Sequence, residues 1–414
     1  MHHKPVILIL TGDSGFGHRS AANSVEKALE VLHPHDVRTY IVNPILDQDS
    51  PFLLKSTELN YDRNVIEHPD LYRFSYEISD SRSASSLVET TLSLALAPQI
   101  NELIHSLQPD GILSTNQLFS GPVGLVRKAL NLRIPFYTVV TDLADVHSMW
   151  FNASPDHFFV ASECVKTKAV DNGIPPENVT ITGIPVDPAL ALPVSEKSEL
   201  RKANGLDPFL PTLLLVGSKR VAGVPAYLEV LQQIEHPFQV VIIAGGNNEL
   251  YEEVTQRNWN FPLHAENFVQ NMPDWELCAD VLITKAGGLI LSEGLAAGLP
   301  IILIDYLPGQ EEGNVAYVLE NNAGIRAVTP EEFALLIDEW LSCDQSRLKQ
   351  CGDHSKHLGH PESALVIAER LWQATENQTS KPQLRPSTMK KAYLWMKKQT
   401  PREDDLEASQ ITPK

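Results

Sequence analysis

The segment from Lys285 to Asn314 holds residue types whose order suits a phosphorylated, hydroxyl-rich ligand. The apolar run Val281 to Thr284 predicts a buried parallel strand, and Gly287 and Gly288 then allow a sharp turn into a helix. Backbone N–H groups at such a helix start, with the positive end of the helix dipole, form a site for a diphosphate. Glu293, about one and a half turns into the helix, carries a carboxylate that can accept hydrogen bonds from a ribose diol.

A loop with a Gln-Glu pair follows the next predicted strand, Ile301 to Asp305, at the strand end where open α/β sheets bind ligands. The glycine turn, the acid and the QEE-G-N loop together resemble the donor-sugar site of family 28 glycosyltransferases, which include the monogalactosyldiacylglycerol synthases and the peptidoglycan N-acetylglucosaminyltransferase. The resemblance implies that Glu293 binds ribose, that Gln310 and Glu311 bind the sugar hydroxyls, and that Asn314 supports the loop. Helix capping is the alternative interpretation, and it explains the glycines but not the whole combination.

The composition is that of a folded protein with two domains, since the chain has 414 residues, of which 43% are hydrophobic and 21% charged. The net charge of -19 argues against nonspecific binding of nucleic acid and, on average, against attraction to an anionic membrane. Four cysteines without a CxxC motif predict neither disulfides nor a zinc site. No signal peptide or membrane span is recognisable, so we expect a cytoplasmic protein whose membrane contact, if it has one, is peripheral.

Short apolar runs alternate with helical patterns along the chain, which predicts mostly parallel sheets. The predicted strands are 6–10, 37–42, 111–114, 136–141, 157–161, 179–182, 212–216, 239–244, 263–269, 281–284, 301–305 and 324–328. Helices are predicted over 20–32, capped by Ser20, and over 91–107, kinked at Pro98. A proline-rich interruption from Ile184 to Pro211 predicts the hinge.

The fold class expected is therefore α/β, with two facing doubly wound, Rossmann-like domains. The resemblance identifies this arrangement as the GT-B architecture, with the donor in the C-terminal half and the acceptor in the N-terminal half. We predict an acceptor-binding α/β domain over 1–190, a UDP-sugar-binding α/β domain over 191–375, and a basic then acidic C-terminal tail over 376–414.

A glycine-rich loop, Thr11 to Ser20, follows the first strand but lacks both the Walker ending and the dinucleotide spacing. It resembles the G-x-G-H-R motif of the galactolipid synthases, which places Gly17 at the acceptor and makes His18 the base toward the acceptor hydroxyl. Imidazole suits this role because it accepts a proton at neutral pH, and Asp142 or Asp13 could steady the imidazolium. The alternative for His18 is a histidine at a helix start that bonds backbone carbonyls.

A second motif, from Thr138 to Phe151, ends a strand and so faces the same cleft. It is similar to the family's TDL-x-x-x-H-x-x-W run, which lines the acceptor pocket. The resemblance implies that Trp150 contacts lipid and that His147 and Asp142 orient nearby groups. An ordinary strand end with a packed tryptophan is the alternative.

The donor half holds two further candidate segments. Gly217 and Ser218 follow a strand, so their N–H groups are placed to approach the diphosphate, although the sequence GSKRVAG departs from the glycine-rich segment of the relatives. Asn267, Phe268 and Val269 resemble the family segment whose main chain reads the uracil edge, which implies that Phe268 packs on the uracil ring. A buried phenylalanine at a strand end is the alternative.

The family resemblance implies an inverting transfer of a hexose from UDP-galactose or UDP-glucose to a lipid hydroxyl, with diacylglycerol the expected acceptor and glycolipid the product. No metal and no cofactor beyond the UDP-sugar donor are expected, because helix N-termini can stabilise the departing diphosphate. A UDP-N-acetylglucosamine 2-epimerase and a non-catalytic UDP-sugar-binding protein are the alternatives.

Residues 381–398 carry six Lys or Arg and no acid, with aromatic side chains between lysine pairs. This pattern suits peripheral contact with an anionic membrane at its inner face. A helix packed across the two domains is the alternative.

Overall fold

The computed structural model describes residues 4–13, 16–46, 55, 82–192, 195–221, 223–342 and 345–376. Within these ranges the chain forms two six-stranded sheets, and every strand pairing in both sheets is parallel. Among the described helices, none is both long and apolar enough to cross a membrane. The basic segment 381–398 lies outside the described residues.

The first sheet is built on a fully apolar central strand. Its strands are β1 Val6–Leu10, β2 Arg38–Val42, β3 Gly111–Ser114, β4 Phe136–Val139, β5 His157–Val160 and β6 Val179–Ile181. They run in the order β2-β1-β3-β4-β5-β6. All five residues of β1 are buried, as expected for a strand covered on both faces by helices.

The helices of this half are α1 Phe16–Leu32, α2 Arg82–Leu107, α3 Ser120–Leu130 and α4 Glu163–Asp171. Helix α1 begins four residues before the predicted cap, so Ser20 lies inside the helix and that prediction is wrong. The glycine that suggested a loop is accommodated in the first turn, because the helix penalty of a glycine is small beside tertiary packing. Gly17 and His18 thus lie on the first turn of α1, directly after β1.

The second sheet is also built from parallel strands with buried apolar runs, such as IILID in Ile301–Asp305. Its strands are β7 Thr212–Val216, β8 Gln239–Ile243, β9 Leu263–Glu266, β10 Val281–Lys285, β11 Ile301–Asp305 and β12 Gly324–Arg326, in the order β12-β11-β10-β7-β8-β9. Its helices are α5 Lys197–Ala203, α6 Val224–Leu231, α7 Asn248–Gln256, α8 Met272–Cys278, α9 Gly288–Ala296, α10 Glu312–Glu320, α11 Pro330–Leu341 and α12 Ser346–Leu358.

The last described helix, α13 Ser363–Glu376, returns to the first sheet. Its apolar face joins the core around β1 and α1, where Ile367 and Leu371 are fully buried, and Trp372 stacks on His33 with ring centroids 4.0 Å apart. The range 191–375 predicted for the second domain therefore includes a helix whose contacts belong to the first.

Candidate functional site

His18 lies at the carboxyl ends of β1, β3 and β4, where the first turn of α1 crosses the sheet edge. Its Nδ1 is 2.7 Å from the backbone oxygen of Thr115 and 2.9 Å from Oγ1 of Thr141. A carbonyl oxygen can only accept, so we infer that Nδ1 carries the proton and donates to Thr115. In that neutral tautomer the lone pair is on Nε2, as a proton-accepting base requires.

Asp142 follows β4 and is held by Trp150, whose Nε1 donates to the carboxylate at 2.7 Å. Burial raises the pKa of Asp142 to about 6, and the hydrogen bond from Trp150 opposes part of that rise. The sequence suggested that a carboxylate from Asp142 or Asp13 lies beside the ring of His18. In the structure, the groups beside Nδ1 are the backbone oxygen of Thr115 and the hydroxyl of Thr141. Asp13 instead accepts from the guanidinium of Arg19 at 2.7 and 3.0 Å.

The motif from Thr138 to Phe151 differs from expectation in one respect. Trp150 is fully buried, so the predicted contact between its ring and a lipid does not fit the structure. Its ring lies 6.1 Å from that of His18, and its effect on the site passes through Asp142. His147 is also buried, and its Nδ1 accepts from the backbone N–H of Met149, which caps a short 3₁₀ helix.

On the donor side, β10 turns at Gly287 into α9, and Gly287, as the N-cap residue, supplies no side-chain cap to that helix. This is the strand, glycine turn and helix unit that the sequence predicted, with N–H groups at the helix start placed for an anion. Glu293 lies on α9 and is only 8% exposed. Burial, and then the negative charge of Asp187, raise the pKa of Glu293 to about 8.

A second acid lies near Glu293. Glu276, on α8, is fully buried, and neither carboxylate oxygen has a hydrogen-bond partner among the described residues. Burial, then the charges of Glu293 and Asp187, raise the pKa of Glu276 well above its ordinary value. Asp187 itself bonds Lys27 of α1 at 2.6 Å, so a salt bridge from the first domain reaches this acidic group.

The Gln-Glu loop lies beside the same helix start. Glu311 is buried and forms an ion pair with Lys285, and its Oε2 accepts from the backbone N–H of Leu307 at 2.8 Å. Asn314 donates from Nδ2 to the backbone oxygen of Ala286 at 2.9 Å, so it supports the glycine turn as the resemblance implies. Gln310 is half-buried at the tip of the loop.

Two other predicted donor contacts have different outcomes. The N–H of Gly217 donates to the backbone oxygen of Ile243 at 2.8 Å, so it is used inside the sheet and the predicted contact with a diphosphate does not fit. Ser218 keeps that role as a prediction. Phe268 is 55% exposed, which excludes the buried strand-end alternative, and Val269 packs partly on the core of the second domain.

The two halves meet where these groups lie. A Cβ added to Gly288 would be 3.2 Å from the backbone oxygen of Thr141, and one added to Gly313 would be 2.6 Å from Cβ of Asp145. Both glycines permit close backbone approach between the start of a donor-side helix and the loop after β4. The loop after β4 therefore lies against the glycine turn and the start of α10, where the charge of Glu311 acts on Asp142.

Sequence reasoning assigned no role to Thr115, Lys285 or Glu276. Thr115 directly follows β3, so the rule that ligands collect at strand ends could have indicated it. Lys285 ends β10 and was part of the segment already singled out. No signal marks Glu276, because an acid in the helix MPDWELC suggests a solvated face.

The comparisons with known proteins agree with this geometry. Residues 18–186 match the family model for monogalactosyldiacylglycerol (MGDG) synthase, and residues 213–362 match that for the glycosyltransferase family 28 C-terminal domain. The chain is 30% identical over 393 residues to the probable monogalactosyldiacylglycerol synthase, chloroplastic, of Nicotiana tabacum. The aligned residues cover 92% of this chain and 73% of the relative. The chain belongs to the monogalactosyldiacylglycerol synthase family.

Two solved structures support the fold. MurG of Acinetobacter baumannii has a TM-score of 0.54 at 16% identity, over 90% of this chain and 100% of that one. The UDP-GlcNAc 2-epimerase of Neisseria meningitidis bound to UDP-GlcNAc also has a TM-score of 0.54, at 14% identity, over 89% and 100%. The GT-B fold expected from the sequence is confirmed, and the family makes the chain a UDP-sugar-dependent glycosyltransferase.

Proposed function

We propose that the protein transfers a hexose, with inversion and without a metal, from UDP-galactose or UDP-glucose to the free hydroxyl of diacylglycerol. The observation that carries this proposal is the position of His18 on the acceptor side of the cleft, across from the glycine turn and the uncapped start of α9. The family supplies the glycosyltransferase class, and the N-terminal match to the MGDG synthase model supports a glycolipid product.

The mechanism follows from the placement of charge. Nε2 of His18 takes the proton of the acceptor hydroxyl, and the oxygen attacks the anomeric carbon from the face opposite the diphosphate, which inverts that centre. Thr115 fixes the tautomer of His18. We propose that Asp142, which is bonded to Trp150, favours the imidazolium electrostatically, since the ring of Trp150 lies 6.1 Å from that of His18. The N–H groups that begin α9 stabilise the departing diphosphate in place of a divalent cation.

The proposed acceptor and location rest on a relative's name and on the C-terminal tail. The tobacco relative is named a monogalactosyldiacylglycerol synthase, which favours galactose as the sugar and diacylglycerol as the acceptor. We propose peripheral contact with the cytoplasmic face of a membrane, whereas the relative's name places it in a chloroplast. Liposome flotation of chains with and without residues 381–414 tests the contact, and equal binding by both would exclude the tail as its source.

The activity itself is tested by incubating the purified chain with a panel of UDP-sugars and diacylglycerol micelles. Mass spectrometry should detect hexosyl-diacylglycerol, NMR coupling constants should show a β-linkage, and excess EDTA should leave the rate unchanged. An α-linkage, or loss of activity that added magnesium restores, would contradict the mechanism.

Two other activities remain as outcomes of the same experiment. The epimerase of Neisseria meningitidis shares the fold at 14% identity, and epimerised UDP-sugar without glycolipid would favour that class. Binding of UDP-sugar without turnover of any acceptor would indicate a non-catalytic binding protein.

A further inference from the structure

A buried ion pair lies beside the glycine turn, and no sequence motif assigned it a role. Lys285 is the last residue of β10, and its ammonium pairs with Oε1 of Glu311. The two side chains are only 13% and 8% exposed. Burying an ammonium is costly unless an anion accompanies it, so Lys285 needs a negative partner wherever it lies in this pocket.

The pair lies against the backbone at which α9 begins. A Cβ added to Gly287, the residue that precedes the helix, would be 3.2 Å from Nζ of Lys285 and 3.7 Å from Oε1 of Glu311. The positive end of the α9 dipole and the Lys285 ammonium are therefore adjacent sources of positive charge. A diphosphate at the start of this helix would lie within the field of both.

Glu311 is the member of the pair with a second expected partner. The family resemblance assigns it hydrogen bonds to the sugar hydroxyls, whereas here one carboxylate oxygen is next to Lys285 and the other accepts from Leu307. A carboxylate that accepts from sugar hydroxyls shares its charge with them, which weakens its hold on the ammonium. The donor offers a replacement anion for Lys285 in its own diphosphate.

We propose that Lys285 binds the diphosphate of the donor and that Glu311 is its counter-charge until the donor takes that place. This inference rests on the proposed function. During transfer, the bond between the anomeric carbon and the diphosphate oxygen breaks, and its electron pair stays on the diphosphate, where Lys285 stabilises the added charge. The acceptor oxygen forms the new bond to the anomeric carbon, and its proton goes to His18.

The competing explanation is a purely structural ion pair that ties β10 to the loop before α10. The two explanations differ over the replacement Glu311→Gln. If the pair is structural, the loss of Glu311 loosens the loop and weakens the binding of every ligand. In an exchanging pair, the loss frees Lys285, so UDP, which has a diphosphate but no sugar, binds more tightly.

The test compares the affinities for UDP and for uridine, measured by isothermal titration calorimetry on the full chain. Lys285→Met should weaken the affinity for UDP about tenfold to a hundredfold and leave the affinity for uridine unchanged, because only the contact with phosphate is lost. Lys285→Arg should restore most of the UDP affinity. Glu311→Gln should increase the affinity for UDP about threefold to tenfold and again leave the affinity for uridine unchanged.

A variant with an unpaired buried charge can fail to fold. The double variant Lys285→Met with Glu311→Gln leaves neither charge unpaired, and compared with wild type it should bind UDP less tightly while its affinity for uridine stays unchanged. The inference is overturned if Lys285→Met leaves the ratio of UDP to uridine affinity unchanged, or if Glu311→Gln binds UDP more weakly. In either case the proposed function still stands if the wild-type protein transfers the hexose. A folded wild-type chain that binds no UDP overturns both.

Discussion

Asp142 shows how one hydrogen bond sets the charge of a site residue. Burial raises its pKa to about 6, and the hydrogen bond from Nε1 of Trp150, followed by the charge of Lys168, opposes part of that rise. Activity should fall at acid pH, because the proposed base His18 must be unprotonated to accept the proton of the acceptor hydroxyl.

Replacing Trp150 with phenylalanine tests the effect of this hydrogen bond on Asp142. Trp150→Phe removes the donor to Asp142, so the pKa of Asp142 should rise by about one unit, which NMR of the carboxyl carbon measures. Trp340→Phe is the matched control, because Trp340 is equally buried and its Nε1 has no partner among the described residues. An unchanged pKa of Asp142 in Trp150→Phe would contradict this role of Trp150.

At this scale the sequence predicted residue types better than contacts. His18, Asp142 and Trp150 lie together as their motifs indicated, but Trp150 is buried and its Nε1 donates to Asp142. The partners of Nδ1 of His18 are a threonine hydroxyl and a backbone oxygen, and every residue has a backbone oxygen. A motif cannot specify such a contact, because it depends on how β3 lies beside α1.

At the scale of elements, α8 and α9 place two acids in a poorly solvated position. Glu293 on α9 and Glu276 on α8 are both buried, and the pKa of each is raised, chiefly by burial. The folded state thus holds their protons more tightly than the unfolded chain, where the ordinary value is 4.5. The contribution of Glu293 to stability is present below about pH 4.5 and is lost as pH rises through about 8, and that of Glu276 is likewise lost as pH rises above the ordinary value.

Glu276→Gln should reveal this linkage, because the amide cannot ionise. The variant should be more stable than wild type at pH 8 by about 1 kcal/mol or more, and close to wild type at pH 5. The free energy of unfolding in urea, measured at both pH values, checks this, with the exposed Glu177→Gln as control. An equal difference at both pH values would contradict the linkage.

The elements themselves were largely predictable. Each of the twelve predicted strands is present with its end within three residues of the prediction, because parallel strands buried on both faces read as continuous apolar runs. The start of α1 was missed because Gly17 suggested a loop. Tertiary contacts at the first turn, including His18 with Thr115, favour the helix there.

At the scale of the whole molecule, α13 links the two ends of the described chain. It follows the second sheet in sequence but packs on the first, and Leu371 lies near Gly111 of β3, where an added Cβ would be 3.4 Å away. Sequence patterns gave no sign of this return, because an amphipathic helix does not specify which sheet it covers. The first domain therefore depends on residues that come after the second.

Leu371→Ala should destabilise the first domain by about 2 to 5 kcal/mol, since the side chain is fully buried. Hydrogen exchange should show faster opening of β1 and β3 and little change in β10 and β11. Val366→Ala, on the exposed side of the same helix, should change stability by less than about 0.5 kcal/mol. Loss of protection confined to the second sheet would contradict the packing.

The proposed transfer of a hexose from a UDP-sugar to a lipid depends on His18 as the base. The rates at which wild type and His18→Ala convert labelled UDP-hexose and diacylglycerol vesicles to glycolipid decide whether His18 has this role. We expect wild type to form hexosyl-diacylglycerol and UDP in equal amounts, and His18→Ala to turn over about 10² to 10⁴ times more slowly with unchanged UDP affinity. Equal turnover by both proteins, or epimerised UDP-sugar without glycolipid, would contradict the account.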